Sequence, residues 1–253
     1  MSPPTLIFVH GAWHSPKCWE KVIPKLEQKG YRCHAPHLEM CATGTEKPAD
    51  SLRGSVNQIQ DIISSEISTG NDVLIVAHSM GGRPGCAAVE GFTQKNPSRL
   101  SLNSGKVIGI LQISGFFPIE ISELVKIDFG TPFFSRGGVW ITVDLADPVD
   151  LFYGDLSLQE ARLWESRILK LSAACNDDWT LYSGWKDVPV WYLVCTQDKA
   201  ILPQAQEDMI AIVRGAGANV TTRQLDSSHS PFLSLVDETV DFILEAVVSL
   251  IVL

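Results

Sequence analysis

Short apolar runs recur along this chain at a spacing that leaves room for a helix between most of them. "TLIFVH" (Thr5 to His10), Asp72 to His78 in "DVLIVAH", "KVIGILQIS" (Lys106 to Ser114) and "VPVWYLVCT" (Val188 to Thr196) are each bounded by turn-forming residues. Runs of four to eight apolar residues without alternation read as strands buried on both faces. "YRCHAPHL" and Ala218 to Leu225 add a second and a sixth strand, both more polar. Between them lie segments of helical pattern. Ser15 to Gly30 has Pro16 at its first position, the helix capped by Asp50 or Ser51 runs to about Thr69, and Met80 to Lys95 ends at Asn96-Pro97. Pro203 to Arg214 and Leu233 to Leu250 complete the set. Strands alternating with helices predict an α/β chain with a mostly parallel sheet of about six strands and helices on both faces.

The alternation fails once. Residues 115–187 hold no clear strand but carry twelve aromatic side chains, Phe116, Trp140 and Trp164 among them. Pieces such as "SLQEARLWESRILKL" look helical. This predicts a helical lid, 115–187, inserted into a core made of 1–114 and 188–253. Ordinary sheet-covering helices joined by long loops are the competing reading.

Composition narrows the partners. The chain has 253 residues, 45% of them hydrophobic and 19% charged, which suits a packed domain with a large core. A formal net charge of -9 argues against nucleic acid and against anionic membrane. The start "MSPPTLIFVHGAW" has no basic leader, and the terminal apolar stretch "AVVSLIVL" is too short to span a bilayer. Six cysteines without a C-x-x-C pair sit largely in apolar runs, which points to buried thiols and a cytoplasmic compartment.

"VLIVAHSMGGRPG" places Ser79 where an apolar strand stops and a helix starts. A nucleophilic serine has to be exposed at such a sharp turn, and the strained backbone needs small residues two before and two after it. Here these are Ala77 and Gly81, so the pattern is A-x-S-x-G where G-x-S-x-G is usual. A serine before Gly-Gly also occurs in ordinary turns, so the motif needs partners. His10, His14, His34, His37 and His78 all precede Ser79, and His229 alone follows it, in the polar loop "DSSHSPFLS". Asp198 lies just past the fifth strand and 229 − 198 = 31 residues before His229, room for one helix and one strand. Asp226 is the rival acid, three residues from His229. An oxyanion needs two N–H donors, which Met80 and Ala12 would supply, with Gly11 letting the backbone of "HGAW" come close. Trp13, His14 and Gly11 are then candidates for the pocket wall, together with Phe116, Trp140 and Trp164.

These stretches, "FVHGAW", "VAHSMGG", "YLVCTQDKAILPQAQEDMI" and "SHSPFLS", resemble the α/β-hydrolase superfamily over nearly the whole chain. Within it they are similar to small lid-bearing enzymes related to plant methyl esterases and hydroxynitrile lyases. The likeness is nearest to a large group of fungal and bacterial hydrolases of mostly unassigned substrate. The resemblance implies a triad of Ser79, His229 and Asp198, an oxyanion hole of Ala12 and Met80, no cofactor and no metal. The lyases of that group carry a threonine where this chain has Gly11 and a lysine where it has Ser230, so cyanohydrin cleavage is not expected.

The expected activity is hydrolysis of a carboxylic ester, a lactone or a thioester through an acyl-enzyme. The substrate is a medium-sized apolar or aromatic molecule, and the fungal relatives implied by the resemblance place it in secondary metabolism. A C–C lyase using the same triad and a small-molecule receptor with slow turnover remain open beside it. As partners, the reading expects a small-molecule ester, no nucleic acid and no membrane, with the protein a monomer or homodimer.

Overall fold

A computed structural model describes residues 3–251. In chain order the first half contains β1 (Thr5–Val9), α1 (Val22–Glu27), β2 (Cys33–His34), β3 (Cys41–Ala42), α2 (Arg53–Ser68), β4 (Val73–His78), α3 (Gly82–Ala87) and β5 (Val107–Ile113). Next come α4 (Ile121–Leu124), β6 (Phe134–Gly137), β7 (Trp140–Val143), α5 (Pro148–Phe152), α6 (Leu158–Glu165), β8 (Lys170–Ser172) and α7 (Ala173–Asp177). The chain closes with β9 (Val190–Cys195), α8 (Pro203–Gly215), β10 (Val220–Leu225), α9 (Pro231–Ser234) and α10 (Val236–Ile251).

Six strands form one sheet in the order β10-β9-β5-β4-β1-β2, and every neighbouring pair is parallel. Each residue of β1, β4 and β9 is buried, as a parallel sheet covered on both faces requires. The edge strands differ. β2 is two residues long, and β10 leaves Arg223 and Gln224 exposed. α10 buries Val240, Ile243, Val247 and Leu250, a three-to-four spacing that lays one stripe on the sheet. Full burial of each such side chain contributes about 1.5–3 kcal/mol. Among the described residues no helix is long and apolar enough to cross a membrane. The last two residues of "AVVSLIVL" lie outside the described residues.

Three helical expectations are corrected. The segment expected as one helix from Ser15 to Gly30 splits into a 3-10 turn, Pro16–Trp19, and α1. Pro24 explains the break: it has no N–H to bond back into a preceding turn, and is tolerated only in the first turn of a new helix. The helix expected over Met80 to Lys95 ends at Ala87. Beyond it the backbone forms tight turns, and the Phe92 carbonyl accepts from Val107 N–H at the entry to β5, a bond a continued helix would forfeit. The segment between β5 and β9, expected to be helical, also holds three strands. They pair with β3 in a four-stranded antiparallel sheet ordered β3-β8-β7-β6. The Gly138-Val139 turn joining β6 to β7 is the short-range signal of that hairpin.

Candidate active site

β4 delivers Ser79 in the middle of the sheet. Its φ is +52°, a left-handed conformation costing roughly 1–2 kcal/mol for a residue with a side chain. The turn is held by its surroundings: the Ser79 carbonyl accepts from Phe116 N–H at 2.9 Å, beyond the end of β5. Gly81 has to be glycine, because an added Cβ would lie 2.4 Å from the His10 carbonyl oxygen. Gly11 is packed as closely on the other side, its missing Cβ 2.9 Å from Ser79 Cβ. The loop carrying Ala12 therefore runs directly against the serine.

His229 Nδ1 and Asp198 Oδ2 are 2.7 Å apart, and both side chains are buried. A carboxylate only accepts, so Nδ1 carries a proton toward Asp198, and in the neutral ring the lone pair sits on Nε2. Asp198 Oδ1 accepts from the N–H groups of Ala200 (2.8 Å) and Ile201 (2.9 Å), and Gln206 Nε2 donates to Oδ2 at 3.2 Å. Gln206 also accepts from Cys195 N–H and donates to the Ile201 carbonyl. Nothing in the sequence marked Gln206, because its value lies in reaching backbone groups of Cys195, at the end of β9, and of Ile201, in the loop that follows. Gln206→Leu would strand them, at about 1–3 kcal/mol for each buried group left unpaired. A fall in Tm of several degrees is expected by calorimetry, and an unchanged Tm would contradict this role. Asp226 stands elsewhere. It is exposed and accepts from Thr196 Oγ1 and Gln197 Nε2.

Three further histidines surround the pair, each donating to a backbone carbonyl. His10 Nδ1–H donates to Gly11 O (2.9 Å) while its Nε2 accepts from Leu38 N–H. His14 Nδ1–H donates to Ala12 O (2.8 Å) while its Nε2 accepts from Tyr153 Oη–H. His78 Nε2–H donates to the carbonyl of His229 at 2.9 Å. The first two hold the carbonyls of the Gly11-Ala12 loop, and the third holds the backbone of His229 itself.

Burial keeps all three neutral. It pushes His10 down to about 3, His14 down to about 4 and His78 well below the ordinary histidine range. In the unfolded chain each binds its proton near pH ~6.5. Below that pH the unfolded state holds more protons, so stability is full above ~6.5 and is lost as pH falls toward the native values. At ~1.4 kcal/mol per pH unit for each group, His10 and His14 together cost about 2–3 kcal/mol between pH 6 and pH 5, and His78 acts in the same direction. Urea unfolding should give a flat stability from pH 7 to 8 and a steep loss by pH 5, before most carboxylates titrate. Stability unchanged down to pH 5 would contradict the neutral cluster.

A cavity of about 300 Å³ opens over Ser79. Of the residues singled out from sequence, Ala12, Trp13, Ser79, Met80, Phe116 and His229 line it, with Asp198 directly behind His229. Four others do not. Gly11 is packed beneath the serine, and His14 is spent between Ala12 O and Tyr153. Trp140 is paired with Ser172 in the small sheet, and Trp164 is buried on α6 under the Arg167 guanidinium. The aromatic wall comes instead from Phe129, Phe133, Phe134, Phe152 and Trp179. Trp13 joins the two sheets there, its ring 5.7 Å from those of Phe133 and Phe134 and its Nε1–H bonded to Ile141 O. Arg83, unmarked in the sequence reading, also lines the cavity. Among the described residues no three His, Cys, Asp or Glu side chains converge as metal ligands.

Comparison with known proteins agrees with this architecture. A family model described as "Alpha/beta hydrolase family" matches residues 6–242. A protein from Phoma sp. named Probable hydrolase R7 is 23% identical over 97% of this chain and 98% of its own length. Methylesterase 1 of Arabidopsis thaliana is 24% identical over 94% of each chain. Polyneuridine aldehyde esterase has a similar crystal structure, with a TM-score of 0.73 and 17% identity over 97% of this chain and 99% of the other.

Proposed function

The chain belongs to the alpha/beta hydrolase family, and on that premise we propose that it is a serine esterase with Ser79 as nucleophile, His229 as general base and Asp198 as the residue that orients it. The observation that carries the reading is the buried 2.7 Å pair of His229 and Asp198 opening, with Ser79, onto one aromatic cavity. His229 Nε2 takes the Ser79 Oγ proton as Oγ adds to the ester carbonyl. The N–H groups of Ala12 and Met80 receive the oxyanion. The C–O bond to the alcohol then breaks, and the alkoxide leaves with the proton from His229. Water repeats the sequence in reverse and frees the acid.

The aromatic wall supports a medium-sized apolar or aromatic substrate, taken as an ester, lactone or thioester. The names of the relatives, a methylesterase and an aldehyde esterase, support ester chemistry. Residues 115–187 act as the lid, since most of that wall comes from them. The place in secondary metabolism rests on the resemblance to fungal hydrolases alone, and a cytoplasmic setting on the six unpaired cysteines. A panel of nitrophenyl esters of graded chain length, with Ser79→Ala as control, tests the reading. Turnover that depends on Ser79 and peaks at intermediate length is expected. No turnover of any ester would overturn it.

A further inference from the structure

We propose that Arg83 is a specificity-determining residue whose guanidinium binds a carboxylate carried by the ester substrate. This rests on the esterase reading and narrows its substrate class. Arg83 lies in the first turn of α3, four residues after Ser79, and both residues line the same cavity. It is 1% exposed yet lines the cavity. Apart from His229 it is the one ionisable side chain among the described residues of that lining.

The surroundings leave its charge without a counter-ion in contact. Nη1 donates to the Asn176 carbonyl at 3.2 Å and Nη2 to the Asp178 carbonyl, both neutral backbone acceptors. The neighbouring carboxylates are turned to other partners: Asp178 to Leu52 N–H and Thr180, Asp177 to Arg136. Trp179 covers one face, its ring centroid 3.7 Å from the guanidinium carbon. A guanidinium has five N–H donors. Two are used here, and Nε–H is buried with no partner at all. Burial pushes the group down to about 10, the sign of a desolvated charge, although Asp178, Asp177 and Cys175 partly offset it. Clamping two carbonyls does not need a buried cation. A planar fork with spare in-plane donors in an apolar cavity is matched by a carboxylate, which it binds with two parallel hydrogen bonds.

The test uses monomethyl esters of dicarboxylic acids from succinate to suberate, each beside the methyl ester of its half-amide, a neutral molecule of the same shape. At one or more lengths kcat/KM for the acid should exceed that for the amide by at least about 10-fold. The gain should appear in KM, because Arg83 binds substrate away from the reacting atoms. Arg83→Met should bring the acid-to-amide ratio close to one, and Arg83→Lys should leave it intermediate. Ratios compare two substrates on one enzyme, so a general loss of activity does not imitate the result. Amides cleaved as well as acids at every length in the native enzyme would overturn the proposal, as would a folded Arg83→Met or Arg83→Lys with the native ratio. If no ester of any kind is turned over, it is the esterase reading that fails. Calorimetric titration of hexanoate against hexanamide then reads the site directly, and equal binding of the two overturns carboxylate recognition.

Discussion

Ser79→Ala is expected to lower kcat by about 10⁶-fold, as removal of the nucleophile does in other serine triads. The fold should survive. Alanine is smaller, and the left-handed turn is imposed by the Phe116 N–H bond and by the closeness of Gly81 to His10 O, neither of which involves Oγ. The N–H groups of Ala12 and Met80 belong to the backbone and remain, so a residue of catalysis over water should persist. KM should change little, since the cavity wall is intact. In the native protein a fluorophosphonate probe should label Ser79 and no other serine, and the label should vanish in the variant. Mass spectrometry finding the label elsewhere with Ser79 free, or a variant that keeps near-normal turnover, would remove Ser79 from the mechanism.

Asp198→Asn should lower kcat by about 10⁴-fold, and the hydrogen bonds show why so small a change costs so much. The N–H groups of Ala200 and Ile201 both point at Oδ1 and demand an acceptor there. The asparagine oxygen must take that place, which turns its NH₂ toward His229 and toward the Gln206 donor. His229 then has to present a lone pair at Nδ1, and its proton moves to Nε2. In that tautomer it cannot take the proton of Ser79. KM should be nearly unchanged, because the carboxylate touches the histidine and not the cavity. Asp226→Asn should stay within about two-fold of native, since an exposed asparagine oxygen still accepts from Thr196 and Gln197. Circular dichroism establishes first that both variants fold. A crippled Asp226→Asn beside a near-normal Asp198→Asn would move the acid to the end of β10.

What could be read without the fold was whatever short-range rules govern. The apolar runs at β1, β4, β5 and β9 report burial on both faces locally, and the parallel sheet follows from their alternation with helices. Gly81 two residues after a serine at a strand end is a local mark of a tight turn, although the group it makes room for, the His10 carbonyl, comes from the far end of β1. The order Ser79, Asp198, His229 needs only the chain. The wall of the cavity obeys no such rule. Phe116 lines it while Trp140 and Trp164, equally aromatic and in the same segment, do not, because the pairing of β7 with β8 and the cover of Arg167 decide where those rings go. Arg83, Gln206 and the histidines at 10, 14 and 78 were equally unreadable as a set. Each acts through backbone groups 1 to 151 residues away, such as His78 on the His229 carbonyl. A backbone carbonyl looks alike in every residue, so no side-chain pattern records which one a buried donor will meet. For His78 and Arg83 it is long-range packing that brings donor and acceptor together.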